Sequence, residues 1–112
     1  MTPPDRSAEW IDRVNRELDA WLPADDARPA PLHAAMRYAV FNGGKRIRPQ
    51  LCFAAGGVLG LADDEVAPIA AAIELVHCYS LVHDDLPAMD DDDLRRGQAT
   101  VHKAWDEATA IL

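Results

Sequence analysis

Apolar residues recur every three or four positions in five successive segments of the chain, the spacing that puts them on one face of an α-helix. No segment shows the alternation of apolar and polar residues that is typical of a half-buried strand. The pattern therefore predicts an all-α protein. The five helices are expected at residues 7–22, from about 32 to the glycine pair at 43–44, from about 49 to 60, from 63 to the proline at 87, and at 100–112.

Residue types at the expected helix ends support these boundaries. Ser7 and Thr100 are predicted N-caps, and Asp63 with Asp64 can cap the fourth helix. Pro49 suits a first helical turn, because the N–H that it lacks is not needed there. The fifth helix shows neither a closing glycine nor a basic last turn, so we expect the chain to be a piece of a longer helical domain.

Small residues and cysteines indicate how the core is packed. The run of alanine and glycine at residues 54–57 of the third helix predicts that a neighbouring backbone approaches it closely. Cys52 and Cys78 lie in apolar surroundings without metal-binding spacing, which predicts reduced thiols in the core.

Composition narrows the class of protein. With 49% hydrophobic and 27% charged residues, the chain is expected to be soluble and folded, and no apolar run approaches the roughly 18 residues of a membrane span. The net charge of −8 argues against nucleic acid as a partner, because there is no basic excess to neutralise phosphates. The first five residues lack a signal-peptide pattern, so a cytoplasmic location is expected.

Most of the acidic excess lies in one segment, residues 84–93, which holds six aspartates and is called the acidic loop below. Asp84 and Asp85 fall at the expected C-terminus of the fourth helix, where the helix dipole disfavours negative charge unless a cation offsets it. Magnesium is commonly held by one or two carboxylates together with substrate phosphates, and this spacing permits such a site. The alternative is a solvated acidic loop without a ligand.

Basic residues form a second concentration of charge at residues 43–49, the basic segment. It joins a glycine pair, three cations and the start of a helix, a combination that is typical of a phosphate-binding site. The alternative is an ordinary basic turn. Arg95 and Arg96 follow the acidic loop and can either neutralise it or meet phosphates. His77 lies two helical turns before Asp84 and on the same face, where a histidine is usually structural.

The two motifs, in this order, resemble a known family. The basic segment, GGKRIRP, is similar to the GGKRxRP segment of trans-prenyl diphosphate synthases. Residues 84–97, DDLPAMDDDDLRRG, resemble the first aspartate-rich motif of that family in its bacterial DDxxxxD form. The resemblance extends from about residue 10 to 112 and is to the farnesyl diphosphate synthase branch of the family. The family's second aspartate-rich motif has no counterpart in this sequence. The resemblance implies that residues 1–112 are the N-terminal part of an isoprenoid-synthase helical bundle, a polyprenyl synthetase domain without its C-terminal part.

The resemblance also implies an activity and a set of site residues. The activity is the head-to-tail condensation of isopentenyl diphosphate with an allylic diphosphate, dimethylallyl or geranyl, to make farnesyl diphosphate, and the intact enzyme is expected to be a homodimer. The allylic diphosphate would bind through Mg²⁺ to Asp84 and Asp90, with Asp85 supporting and Arg95 contacting the diphosphate. The expected contacts of isopentenyl diphosphate are Lys45, Arg48, His77 and Arg96.

Product length is assigned by resemblance as well. In the resembling family, bulky residues four or five positions before the first aspartate close the pocket for the growing chain, and these positions hold Ser80 and Tyr79. The tyrosine favours a farnesyl product, while a geranyl or geranylgeranyl product stays open. The alternative of another class is a shortened, non-catalytic relative or an engineered piece, whose acidic loop binds divalent cations or whose helices recruit a partner.

Overall fold

The computed structural model describes residues 5–112, and over this range the chain is mostly helical. The elements are α1 (Ser7–Trp21), α2 (Ala30–Val40), α3 (Ile47–Val58), α4 (Asp63–Asp84), β1 (Leu94–Arg95), β2 (Gln98–Ala99), α5 (Val101–Ala104) and α6 (Glu107–Ile111). The predicted all-α class is confirmed. The absence of a signal peptide was predicted from the first five residues, of which residues 1–4 lie outside this description.

The helices form two compact units. The first unit contains the chain through Trp21 and Lys45–Glu74, and therefore α1, α3 and the first half of α4. Its buried side chains include Val14, Leu18 and Phe53, and the ring of Trp10 stacks on Phe53 with centroids 5.9 Å apart. The small residues of α3 do allow close packing, but the group that approaches is a side chain and not the predicted backbone, since a Cβ placed on Gly56 would clash with the side chain of Val66.

The second unit contains Leu22–Gly44 and Leu75–Leu112, and therefore α2, the second half of α4, the two strands, α5 and α6. Ala35, Val101 and Ala110 form its buried centre, and the rings of Tyr38 and Trp105 pack edge to face on it at 5.0 Å. Apolar side chains at helical spacing thus close one core in each unit.

Both cysteines are free thiols. Cys78 is buried in the second unit as predicted, whereas Cys52 is half-buried in the first, and burial raises the pKa of the Cys52 thiol. The prediction of unbridged thiols is confirmed, and full burial holds for Cys78 alone of the two.

The ends of the predicted helices differ from the structure in their capping contacts. Ser7 is not an N-cap, since its N–H donates to the Asp5 carboxylate at 2.9 Å and it begins α1 itself. Asp63 does not cap α4 by its side chain; instead the Glu65 carboxylate accepts from the Ala62 N–H at 3.0 Å. Thr100 is the N-cap residue of α5 as predicted, although its side chain makes no capping hydrogen bond.

The prediction of one fifth helix over residues 100–112 is wrong, because this segment is broken into α5 and α6. Trp105 departs from helical geometry, with φ of −118° and ψ of −103°, and Asp106 then caps α6 by accepting from the Thr109 N–H at 2.7 Å. A carboxylate that caps a new helix competes with continuation of the old one, and periodicity alone does not reveal that competition.

One helix is relevant to the expectation that the chain has no membrane span. The 22 residues of α4 are long and apolar enough to cross a membrane by length and composition, with a mean hydropathy of 1.4 over the most apolar 18-residue stretch. A single such helix is weak evidence, because the core helices of globular proteins reach the same length and composition.

Candidate functional site

The acidic loop folds back on the end of α4, which terminates at Asp84 close to the predicted position. The backbone N–H of Asp90 donates to the Asp84 carbonyl at 2.8 Å, and that of Asp92 donates to the Asp85 carbonyl at 3.0 Å. The Asp91 N–H donates to the Leu86 carbonyl at 3.0 Å. These bonds satisfy carbonyl groups that a helix end leaves without partners, so the aspartates project from an ordered backbone.

A hairpin follows the loop where the sequence predicted only irregular chain. β1 and β2 pair antiparallel, with Leu94 opposite Ala99, and the connecting residues Arg96 and Gly97 have φ of 51° and 78°. Two positive φ values in a two-residue connection match the hairpin turn that twists with its strands, and glycine at the second position favours it. The signal was this glycine, because strands of two residues are too short to show alternation.

Asp85 differs from its neighbours because it is buried. It is 3% exposed, and its two carboxylate oxygens accept from Arg95 Nε at 2.9 Å and Nη2 at 2.6 Å. The paired carboxylate raises the pKa of Arg95, and the charges of Asp92 and Asp84 add to this effect. The forked pair ties the end of α4 to β1 and leaves Asp84 and Asp90 exposed on the loop.

Thr100 closes the other end of the acidic loop. Its hydroxyl donates to the Asp92 carbonyl at 2.8 Å, and its N–H donates to the Asp93 carbonyl at 2.9 Å. The residue that was predicted as a helix cap therefore holds the loop backbone against the start of α5.

Among the residues that the structure describes, Asp91, Asp93 and His102 bring a ligand atom each within 4.8 Å of one another, near enough for a shared ion. His102 is buried, whereas both aspartates are exposed, and Lys103 Nζ lies 3.4 Å from Asp93 Oδ1. Sequence reasoning assigned no role to His102 or to these two aspartates, because only the folded loop brings them together.

The three cations of the basic segment differ in how far their side chains are buried. Arg46 is the N-cap residue of α3, has φ of 59° and is 4% exposed, whereas Lys45 and Arg48 on either side are exposed. The cap residue makes no side-chain hydrogen bond to the α3 backbone. Lys45 and Arg48 therefore lie at a helix N-terminus, where backbone N–H groups and the helix dipole favour an anion.

In the second unit, Gly43 of the basic segment lies beside a predicted site residue. Gly43 has φ of 78°, and a Cβ built on it would meet Arg96 Cδ at 3.8 Å. Arg96 itself is exposed at the hairpin turn. A side chain at position 43 would be strained by its backbone conformation, which explains glycine there.

An apolar cavity of about 290 Å³ lies within the second unit beside α4. Its walls include Leu32, Met36 and Ala39 from α2, with Tyr79 and Val82 from α4. The Tyr79 ring is 54% exposed and packs edge to face on His83 at 5.3 Å.

The two remaining predicted residues of α4 differ from Tyr79. Ser80 is not among the residues that line this cavity, and its hydroxyl donates to the His77 carbonyl at 2.7 Å. His77 is half-buried on the same helix.

The predicted site residues thus fall into two groups. Lys45 and Arg48 belong to the first unit. The second unit contains the others, namely His77, Tyr79, Ser80, Asp84, Asp85, Asp90, Arg95 and Arg96. Within it, the structure brings Asp85 and Arg95 into direct contact and joins the backbones of Asp84 and Asp90.

Comparison with known proteins agrees with the two motifs. The sequence model of the polyprenyl synthetase family matches residues 29–112. The chain is 55% identical over 100 residues to farnesyl diphosphate synthase of Haemophilus influenzae, a match that covers 89% of this chain and 34% of that protein. It is 48% identical over 99 residues to large subunit 1 of a heterodimeric geranylgeranyl pyrophosphate synthase of Arabidopsis thaliana, covering 88% and 26% of the two.

A solved structure shows the same fold. The crystal structure of an FPP/GFPP synthase from Zymomonas mobilis matches with a TM-score of 0.87 at 42% identity, covering 94% of this chain and 38% of that one. The chain belongs to the polyprenyl synthetase family, whose members are prenyltransferases. It spans about a third or less of the length of the curated relatives named above.

Proposed function

We propose that the protein containing this chain condenses isopentenyl diphosphate head to tail with an allylic diphosphate and releases farnesyl diphosphate and pyrophosphate. The observation that carries this proposal is the acidic loop, in which a buried Asp85–Arg95 pair and the loop's own backbone bonds hold exposed carboxylates of Asp84 and Asp90. The family match supplies the reaction class.

The donor atoms of the loop suit magnesium. Carboxylate oxygens are the ligands that Mg²⁺ prefers, and it binds through one or two of them together with substrate phosphates. Asp84 and Asp90 would hold the ion, while Asp85, the third predicted ligand, engages both of its oxygens on Arg95 and supports the loop. When bound, the ion would supply Lewis-acid stabilisation of the departing pyrophosphate.

Arginine and lysine side chains would bind the two diphosphates. Arg95 uses Nε and Nη2 on Asp85, which leaves Nη1 outside the pair for the allylic diphosphate. Lys45 and Arg48, exposed at the start of α3, would bind the diphosphate of isopentenyl diphosphate. His77 and Arg96, the other predicted contacts of this substrate, lie in the second unit and stay predictions.

In the reaction, the carbon–oxygen bond of the allylic diphosphate breaks, and its electron pair leaves with pyrophosphate. The double bond of isopentenyl diphosphate attacks the allylic cation, and a proton is then lost to the pyrophosphate. Apolar walls keep water from the cation, which water would otherwise capture. The cavity beside α4, with Tyr79 in its wall, is proposed to accept the growing chain and to stop it at fifteen carbons.

The remaining predictions concern the whole protein. We propose that residues 1–112 are the N-terminal part of a longer polyprenyl synthetase domain, that the intact enzyme is a homodimer and that it is cytoplasmic. A geranyl or geranylgeranyl product is the alternative within the family, and relatives carry farnesyl and geranylgeranyl names.

The direct test incubates the purified protein that contains this chain with labelled isopentenyl diphosphate and with dimethylallyl or geranyl diphosphate. We expect a labelled fifteen-carbon diphosphate with Mg²⁺, and no product after chelation of divalent ions. A folded protein that makes no product from any allylic diphosphate would instead support the non-catalytic alternative.

A further inference from the structure

Arg46 is the one cation of the basic segment whose side chain turns into the protein. Its side chain is 3% exposed, and Nε donates to Asn15 Oδ1 on α1 at 2.9 Å. Nη1 lies 3.7 Å from Oε1 of Glu74 on α4, a carboxylate that is 4% exposed. One planar group therefore joins the first residue before α3 to two other helices of the same unit.

Gln50 of α3 also holds the backbone of Arg46 and of Lys45 before it. Gln50 donates its N–H to the Arg46 carbonyl at 3.1 Å and its side-chain Nε2 to the Lys45 carbonyl at 3.0 Å. Arg46 itself has φ of 59°, a conformation that side chains other than glycine adopt at a cost. That conformation sends the Arg46 side chain inward while Lys45 and Arg48 stay exposed.

A buried ion pair is weak evidence of stability, because apolar residues of similar volume often serve a core as well or better. The contacts of Arg46 do, however, fix the orientation of its side chain, because a planar guanidinium constrains both the distance and the plane of its partners. They are suited to orienting the start of α3 and the two exposed cations beside it.

We propose that Arg46, through Asn15 and Glu74, is a positioning residue that sets the orientation of Lys45 and Arg48 toward the diphosphate of isopentenyl diphosphate. The inference rests on the proposed function, which assigns that substrate to Lys45 and Arg48.

The experiment measures steady-state kinetics of the protein that contains this chain, with each substrate varied separately. Arg46→Lys keeps the charge but lacks the planar fork, and Asn15→Ala removes an acceptor without removing a charge. Both are expected to raise KM for isopentenyl diphosphate about tenfold, with KM for the allylic substrate unchanged. Asn15→Asp retains an acceptor oxygen for Arg46 and is expected to return KM toward the wild-type value.

Arg13→Lys is the matched control. Arg13 also joins α1 to α4, with Nε 2.9 Å from Asp64 Oδ1, but it lies outside the basic segment. This control is expected to leave both KM values unchanged. A merely structural role of Arg46 would lower the amount of active enzyme, and so kcat, at constant KM, and that result overturns the inference.

Arg48→Lys and Lys45→Gln separate this inference from the function on which it rests. If they raise KM for isopentenyl diphosphate while Arg46→Lys and Asn15→Ala do not, the positioning role is wrong and the diphosphate site stands. If neither Arg48→Lys nor Lys45→Gln changes that KM, the assignment of the substrate to these cations is wrong. Should Arg46→Lys fail to fold, Asn15→Ala decides the question alone.

Discussion

The acidic loop and the basic segment each contain one buried charge, but the partners of the two charges lie at different distances along the chain. Each places one charged residue inside and leaves others exposed: Asp85 pairs with Arg95, and Arg46 lies against Asn15 and Glu74. The acidic anchor finds its partner 10 positions along the chain, through a hairpin that directly follows the loop. The basic anchor finds Asn15 31 positions away, on another helix.

The difference shows two ways of ordering a cluster of like charges. In the acidic loop, short-range backbone hydrogen bonds and one local ion pair fix the backbone conformation, so this conformation depends mainly on residues of the loop and the hairpin after it. In the basic segment, the orientation depends on how α1 and α4 pack in the first unit. A change in packing is therefore expected to disturb the exposed cations more than the exposed carboxylates.

The largest effect is expected from Asp84→Asn, which keeps the shape of an exposed carboxylate but removes its charge. The variant should lower kcat on the order of 10²-fold or more with a smaller change in KM, because the lost interaction is made mainly in the transition state. Steady-state kinetics at saturating Mg²⁺ measure this. Asp12→Asn, an exposed carboxylate of α1, is the control. Near-normal kinetics of Asp84→Asn would remove Asp84 from the site.

The two anchors themselves are expected to differ in stability. Glu74→Gln leaves the Arg46 charge buried and should cost about 2 kcal/mol, somewhat less than full removal of a partner in a buried pair. Asp85→Asn leaves Arg95, whose side chain is 28% exposed, and should cost about 1 kcal/mol, because water can solvate the remaining charge. Urea unfolding of both variants checks the order. A larger loss for Asp85→Asn would contradict the contrast between local and long-range anchoring.

The apolar cavity provides a comparison with both charged regions. Tyr79→Ala removes a ring from the cavity wall beside α4 and so enlarges the cavity. The products should then shift from farnesyl toward geranylgeranyl diphosphate and longer, while activity is retained. Chromatography of the hydrolysed products gives the chain length. Tyr79→Phe keeps the ring and should leave the distribution unchanged. An unaltered distribution in active Tyr79→Ala would mean that another residue limits the chain.

The smallest effect concerns the pH dependence of a local cap. Hydrogen bonds from Thr109 lower the pKa of Asp106, the N-cap of α6. A carboxyl whose pKa is lowered by folding contributes stability above its unfolded pKa and loses it as pH falls through the folded pKa. An NMR titration should give Asp106 a lower pKa in the folded chain than in the urea-unfolded chain. Equal values would show that the cap does not persist in solution.

Much of the helical framework could be predicted from the sequence. Apolar periodicity predicted α1 to α4 to within a few residues, and α4 ends at Asp84, shortly before the predicted stop at Pro87. It could not show that Trp105 and Asp106 break the last helix, because a capping bond to Thr109 is a local polar contact that apolar spacing does not record. The hairpin at Arg96 and Gly97 was missed because strands of two residues are too short to show alternation.

For the candidate site, too, the sequence indicated some properties and the structure alone shows others. Residue types and motif order were sufficient to select the acidic loop and the basic segment, and to distinguish Lys45 and Arg48 by resemblance. They did not show that Asp85 is buried on Arg95, and they placed Tyr79 beside a pocket by resemblance alone. A charge pattern states which groups are available, whereas burial depends on what packs over them.

By itself, then, the sequence determined the helical class, the order of the two charged motifs and the family to which the chain belongs. Those properties follow from residue spacing along one chain, which is a local quantity. Only the tertiary structure decided which charge of each motif is an anchor, as for Asp85 and Arg46, and which is exposed. Burying a charge costs free energy unless folding brings a partner group against it, and that partner is known only once the chain is folded.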